Sequence, residues 1–167
     1  PRRCGVAGRG RPHTVSSRAC SPTPPCSHSH PPPRCPSSAR AAETIARQAG
    51  TILLQYYERG RESVTKSSQI DLVTEADQAS EAFIVKALRE RFPDHRINGE
   101  EGGGYGPSLA EAPYQWWVDP LDGTTNFAHR FPVFAVSLAM STPDARPVLG
   151  VVYDPTRDEC FKAIRGH

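Results

Sequence analysis

The stretch WWVDPLDGTTNF, residues 116–127, places two carboxylates directly after a bulky apolar run. Residues 115–118 predict a short buried strand that ends at Pro120. Asp119 is therefore expected at the rim of a sheet, and Asp122 follows three residues later. The backbone carbonyl of Leu121 lies between the two carboxylates and can face the same cation. This segment predicts a set of oxygen ligands at the end of a strand.

Two further carboxylates, Glu100 and Glu101, precede this strand in a glycine-rich loop over 99–104. Two carboxylates about 4 Å apart repel by roughly 4 kcal/mol at an effective dielectric of about 20. If the loop meets the strand end, either one carboxyl stays protonated or a cation lies among them. Oxygen ligands without nearby His or Cys favour Mg²⁺. The alternative is an ordinary turn in which the acids accept hydrogen bonds from backbone amides.

Residues 123–126, Gly-Thr-Thr-Asn, predict a short helical turn with Thr124 as its cap. Free amides at the start of such a turn can bind phosphate, and a glycine lets the backbone approach closely. Cation ligands beside an anion site suit the chemistry of phosphate esters.

Helices are expected before strands along the chain. Apolar residues at helical spacing predict a helix over 39–59, capped by Ser38, and an extended region over 70–73 follows it. Thr-Glu-Ala-Asp at 74–77 predicts the capping box of a second helix, which alone would explain Asp77. Strands are predicted over 133–140, 148–153 and 160–164, the first two forming an antiparallel hairpin. This order predicts a layered α+β fold.

Residues 1–40 differ from the rest, with nine prolines, seven arginines, four of the five cysteines and no acidic residue. This composition predicts a disordered leader over 1–38 before a folded domain at 39–167. It is also typical of an organelle transit peptide. A zinc site and a nucleic-acid-binding arm are weaker alternatives, because the Cys and His spacing fits no standard finger and aromatic residues are missing. No apolar run is long enough for a membrane span, and the expected location is cytoplasmic, with an organelle as the alternative.

The segments GEE at 99–101 and DPLDGTTNF at 119–127 resemble the inositol monophosphatase family of Mg²⁺-dependent phosphomonoesterases. The segments KSSQIDLVTEAD at 66–77, HRFPVFAVSLA at 129–139 and GVVYDP at 150–155 are similar in order and spacing. The resemblance covers about residues 39–166. It implies the layered α/β sandwich that this family shares with sugar bisphosphatases.

The resemblance also assigns roles to individual residues. The implied Mg²⁺ ligands are the side chains of Glu100, Asp119 and Asp122 and the carbonyl of Leu121. The implied phosphate contacts come from Leu121, Asp122, Gly123 and Thr124. Glu100 and Thr124 would orient a water for in-line attack on phosphorus, without a covalent phosphoenzyme. Asp77, as a further catalytic residue, and Lys66 would support the metal site from behind or through water.

The expected reaction is hydrolysis of inositol monophosphate to inositol and phosphate. Histidinol phosphate or another sugar phosphate is an alternative substrate, and a regulatory binding protein that keeps the fold is an alternative role. Expected partners are a small phosphate monoester and a second copy in a homodimer, but neither nucleic acid nor a membrane. Because family members continue beyond this chain, it is expected to be a fragment that lacks a further Asp ligand, binds Mg²⁺ poorly and exposes apolar surface.

Overall fold

The computed structural model describes residues 35–60, 66–100 and 103–166. The predicted leader therefore lies largely outside the described residues. The chain order is α1 (Cys35–Arg59), α2 (Lys66–Arg91), β1 (Arg96–Asn98), β2 (Gly104–Tyr105), β3 (Gln115–Asp122), α3 (Thr124–Ala128), β4 (Ala135–Ser141), β5 (Pro147–Asp154) and β6 (Glu159–Ile164).

The strands form one mixed sheet in the order β2-β1-β3-β4-β5-β6. Strands β1 and β3 run parallel, and all other neighbours are antiparallel, including the predicted β4–β5 hairpin. Helix α1 packs on β4, β5 and β6, while α2 packs on β3 and on α1. The predicted layered α+β fold is confirmed.

Helix α1 begins at Cys35, earlier than predicted. Ser38 lies inside the helix and is buried, so the prediction that it caps the helix is wrong. The predicted apolar face is correct at its centre, where Ala46, Ala49 and Leu53 are fully buried. Gly50 lies on this face, and a Cβ there would come within 2.6 Å of the Tyr153 ring.

Helix α2 begins at Lys66, so the extended region predicted over 70–73 is helical. The predicted capping box at 74–77 lies in the middle of the helix, where Ala76 is fully buried. The helix ends at Arg91, before Pro93, as the pattern indicated. Packing against α1 and β3 outweighs the turn preference of the short polar residues near the start of α2.

Strand β3 does not end at Pro120 but continues to Asp122. Asp119 pairs with Ser137, and the next pair joins Asp122 to Ala135, so two residues on β3 face one on β4. This β-bulge explains the proline inside a central strand, because a bulged residue need not donate to the ladder.

Ion pairs join the first helix to the last strand. Lys162 Nζ lies 2.6 Å from Glu43 Oε2. Arg47 pairs with Asp158, and Tyr153 donates to Asp158 Oδ1 at 3.0 Å. None of the helices in the described part of the chain is long and apolar enough to cross a membrane.

The face of the sheet opposite α1 and α2 is open within the described residues. Trp117, Val152 and Phe161 on this face are 48%, 40% and 62% exposed. Adjacent pairs in the register are Trp117 with Ala139 and Val152 with Phe161. A Cβ at Gly150, between them, would meet no atom within 4 Å.

Candidate functional site

The bulge in β3 determines where Asp119 and Asp122 lie relative to the sheet. Side chains alternate along the strand: Trp116 and Val118 are buried beneath the helices, while Trp117 is exposed. Asp119 therefore projects toward the open face. It lies within the sheet and not at the rim, which corrects the expectation from the sequence.

Glu100 reaches Asp119 because β1 and β3 are parallel. Asn98 is the register partner of Trp117, so two residues further along each chain Glu100 comes level with Asp119. The Asn98 side chain fixes this register by donating to the carbonyl of Trp116 at 3.1 Å. The expected meeting of the glycine-rich loop with the strand is confirmed for Glu100, while Glu101 lies outside the described residues.

Asp119 lies in an unfavourable environment for a negative charge. Burial, followed by the charges of Glu100 and Asp122, raises the pKa of Asp119 to about 6, against a hydrogen bond from the Leu121 amide that lowers it. Its Oδ1 is buried and accepts no hydrogen bond from the described residues. A buried carboxylate oxygen without a donor is suited to a cation.

Helix α2 lies behind the bulge. The Ser80 hydroxyl, fully buried, donates to the carbonyl of Pro120 at 3.1 Å. Asp77 lies one turn earlier on α2, and its Oδ1 is also buried. Asp77 is therefore part of the helix that packs behind the acidic strand, although its predicted capping role is wrong. Lys66 lies in the first turn of α2, and its side chain is outside the description.

The turn after β3 is helical, as predicted, but its cap differs. Gly123 occupies the N-cap position with φ +93°, and no side chain caps the helix. A Cβ at Gly123 would lie 3.0 Å from the Val133 carbonyl, so both the backbone angle and the space favour glycine. Thr124 is the first helical residue and is exposed, so the predicted Thr124 cap is wrong.

Aromatic packing holds α3 against α1. Phe127 packs against Tyr57 and Phe134, with ring centroids 5.3 Å and 4.9 Å away. The Tyr57 hydroxyl donates to the Arg130 carbonyl at 2.7 Å, and the Arg130 guanidinium lies 3.8 Å from the Tyr57 ring centroid. The sequence pattern places Tyr57 among the apolar residues of the first helix, and its burial confirms this. It assigns no role to Arg130 or Ser80, and no pattern indicates these contacts.

The donor atoms at the bulge suit Mg²⁺. Carboxylates from Glu100, Asp119 and Asp122 and the Leu121 carbonyl are hard oxygen ligands, and Mg²⁺ uses few protein ligands because it keeps several waters. Within the described residues, no three His, Cys, Asp or Glu side chains converge closely enough to enclose an ion. The fit to Mg²⁺ is therefore one of ligand chemistry.

The mixed sheet, its helix layer and the acidic bulge define an α+β sandwich with oxygen ligands gathered at a central strand. The chain matches the inositol monophosphatase family over residues 37–167 and belongs to this family.

Individual relatives share this region. A protein of Pasteurella multocida named Nus factor SuhB is 44% identical over 72% of this chain and 45% of its own length. An inositol-1-monophosphatase of Synechocystis is 44% identical over 69% of this chain and 39% of its own length. The solved inositol monophosphatase of Anabaena superposes with a TM-score of 0.65 at 37% identity, over 78% of this chain and 45% of that one. The chain thus spans less than half the length of these relatives.

Proposed function

We propose that this chain supplies the acidic half of a Mg²⁺-dependent phosphomonoesterase site, with inositol monophosphate as its substrate. The single observation that carries the proposal is the Asp119 carboxylate, which lies beside Glu100 and Asp122 and has a buried oxygen to which none of the described residues donates. Membership of the inositol monophosphatase family supports the reaction class, and the Synechocystis relative's name supports the substrate.

Each residue has a part in this proposal. Glu100, Asp119, Asp122 and the Leu121 carbonyl would hold Mg²⁺, which when bound polarises the phosphoryl group and lowers the pKa of the attacking water. The first amides of a helix have no intrahelical acceptor, so those of Gly123 and Thr124 would contact the phosphate. Since the Thr124 hydroxyl does not cap α3, it is available with the Glu100 carboxylate to orient the water. The water oxygen would bond to phosphorus as the bond from phosphorus to the ester oxygen breaks, one water proton would pass to that ester oxygen, and the alcohol and phosphate would be released.

A chimera tests the reaction. Residues 37–167 replace the matching segment of the Synechocystis enzyme, and phosphate release from inositol 1-phosphate is measured with Mg²⁺. Asp122→Asn is expected to lower kcat by at least about 100-fold, equivalent to about 2.7 kcal/mol of barrier. Glu159→Gln, which removes an exposed carboxylate on β6, is the matched control. Full activity of the Asp122→Asn chimera would refute the proposal.

The substrate is tested separately in the same chimera. Rates on inositol 1-phosphate are compared with those on histidinol phosphate and on other sugar phosphates. The proposal expects the highest kcat/KM for inositol 1-phosphate. An equal or higher kcat/KM for another ester would identify that ester as the substrate. The proposal that the site hydrolyses phosphate monoesters would remain.

A regulatory role is the second candidate, because a relative 44% identical to this chain bears the name Nus factor. The two candidates differ in their dependence on Asp122. A cellular phenotype that the Asp122→Asn variant restores in full would favour the regulatory role, whereas failure to restore it would favour hydrolysis.

A further inference from the structure

Tyr57, in the last turn of α1, and Arg130, two residues after α3, contact each other through both backbone and side chains. The Tyr57 hydroxyl donates to the Arg130 carbonyl at 2.7 Å. The Arg130 guanidinium donates to the Tyr57 carbonyl and lies 3.8 Å from the centroid of the Tyr57 ring. Carbonyls in the last turn of a helix run out of intrahelical donors, and a cation there also complements the helix dipole. The pair, here called the Tyr57–Arg130 clamp, therefore fastens the segment after α3 to the end of α1.

The backbone of Arg130 is held in an unfavourable conformation. Its φ of +61° lies in the left-handed region, which residues with a Cβ rarely adopt. Such a conformation persists only where the surrounding contacts hold it, and these positions concentrate at functional sites. At Arg130 both the carbonyl and the guanidinium are bonded to Tyr57. The clamp therefore holds a turn that the chain would not adopt by local preference.

Hydrogen bonds carry the position of the clamped segment to the start of α3. The Phe131 amide donates to the Asn126 carbonyl at 2.8 Å, and the Asn126 side chain donates to the Val133 carbonyl at 2.8 Å. The Val133 carbonyl in turn lies 3.0 Å from where a Cβ at Gly123 would be. The segment after Arg130 thus folds back against Gly123, the residue at which β3 passes into α3.

Helix α3 cannot fix its own orientation. It has five residues and no side-chain cap, and isolated helices shorter than about 12 residues are not stable in water. We propose that Tyr57 and Arg130 are positioning residues for the turn at Gly123 and Thr124, because their clamp fixes the segment on which this turn rests. The inference rests on the proposed function for the statement that Gly123 and Thr124 contact the phosphate ester.

The competing explanation is that the clamp only adds to the stability of the whole fold. Tyr57→Phe removes the hydroxyl and keeps the ring, so the aromatic packing on Phe127 remains. Arg130→Asn removes the guanidinium, and asparagine tolerates the left-handed backbone. The matched controls are Tyr56→Phe and Arg59→Asn, because the Arg59 guanidinium lies 5.0 Å from the Tyr56 ring centroid. This second pair has the same chemistry but lies within a single helix.

Amide hydrogen exchange in the 167-residue chain tests whether the clamp holds α3. The Phe127 amide, which donates to the Gly123 carbonyl at 3.0 Å, reports opening of α3. The Leu138 amide, in the middle of β4, reports opening of the sheet. Exchange at Phe127 is expected to be at least about tenfold faster in Tyr57→Phe and in Arg130→Asn, and unchanged in both controls. Exchange at Leu138 is expected to rise by a smaller factor.

Kinetics of the chimera with the Synechocystis enzyme test the positioning role. If the variants only lowered the fraction of folded enzyme, kcat would fall while KM for inositol 1-phosphate stayed constant. A displaced turn at Gly123 and Thr124 weakens contacts to the phosphate, so KM is expected to rise about tenfold in Tyr57→Phe and in Arg130→Asn. Both controls are expected to keep the KM of the unsubstituted chimera.

The two measurements separate the inference from the proposed function. Unchanged exchange at Phe127 in both clamp variants would overturn the inference, and so would equal acceleration at Phe127 and Leu138. Faster exchange at Phe127 with an unchanged KM would overturn the positioning role. A chimera that is inactive before any substitution would count against the proposed function, and exchange at Phe127 would still decide whether the clamp holds α3.

Discussion

At the scale of single residues, Asp119 shows how a site can oppose the stability of the fold that carries it. Its carboxylate is half-buried, and it lies beside Glu100 and Asp122, which raise its pKa together with burial. Such a group stabilises the folded chain only when a cation or a proton balances the charge. The metal-free protein is therefore expected to be less stable than its packing alone would make it.

The substitution Asp119→Asn tests how much the Asp119 charge destabilises the metal-free protein. The amide keeps the shape of the side chain but removes the charge. The metal-free variant is expected to gain about 1 kcal/mol, after allowance for solvent screening of a half-exposed group. This corresponds to roughly 3 °C in Tm, while Mn²⁺ affinity is expected to fall. A lower Tm in the metal-free variant would contradict the explanation, and Glu159→Gln serves as the neutral control.

His95, away from the acidic site, makes the stability of the folded chain depend on pH. Its Nδ1 accepts a hydrogen bond from Trp116 Nε1 at 3.0 Å, and its ring stacks on Phe92. Burial lowers the pKa of His95, against the charge of Asp94, which raises it. The unfolded chain therefore binds the proton more tightly than the folded chain does. The stability contributed by neutral His95 is present above about pH 6.5 and is lost as the pH falls below that value.

The measurement is the free energy of unfolding of the wild type and of His95→Gln between pH 7.5 and pH 5. The advantage of the wild type is expected to shrink as the pH falls, by at most about 1.4 kcal/mol per pH unit. Comparing the two proteins cancels the opposite contribution of Asp119. His129→Gln, at an exposed histidine, is expected to show no such change. A constant difference across this range would contradict the role of His95.

Much of the acidic site could be predicted from the residues themselves. Glu100, Asp119 and Asp122 stand out as carboxylates in a span without Lys or Arg, and their proximity follows from charge and spacing. The position of Asp119 inside a strand could not be predicted, because proline normally ends a strand. Ser80 gives no signal at all, since its hydrogen bond joins α2 to a bulge 40 residues away.

At the scale of elements, the helices show where local signals fail. The 74–77 segment has the residues of a capping box, yet it lies within α2. Propensity and capping preferences amount to about 1 kcal/mol or less each, and burial of a helix face outweighs them. The strands after residue 130 were predicted closely, because alternating β-branched residues and a turn-rich link define a hairpin.

Gly50 sets the distance between α1 and β5. A Cβ there would lie 2.6 Å from Tyr153 Cε1 and 3.0 Å from Pro155 Cβ. Gly50→Ala is therefore expected to destabilise the protein by about 1–3 kcal/mol through overpacking, which outweighs a gain of about 1 kcal/mol in helix propensity. Chemical denaturation measures this, with Gln55→Ala on the exposed side of α1 as the control. A more stable Gly50→Ala protein would show that the helix shifts without cost.

At the scale of the whole molecule, the described helices that pack on the sheet, α1 and α2, cover one of its faces. The opposite face presents Trp117, Val152 and Phe161 to solvent within the described residues. Apolar patches of this kind bind hydrophobic dyes. Phe161→Ser is expected to reduce the fluorescence of bound anilinonaphthalene sulfonate without lowering Tm, because Phe161 is 62% exposed. Leu109→Ser, at an exposed leucine in the loop before β3, is the control, and equal dye binding by all three proteins would contradict the prediction.

The ion pair between Lys162 and Glu43 joins residues 119 positions apart. Helix α1 also rests on the last three strands. Helix α1 thus meets α2 soon after it is made, but it finds β4, β5 and β6 only after synthesis has passed residue 164. Closing so long a loop is entropically costly and slow. During synthesis the side of α1 that later faces these strands stays uncovered, and this leaves it open to chaperones and proteases until the strands have formed.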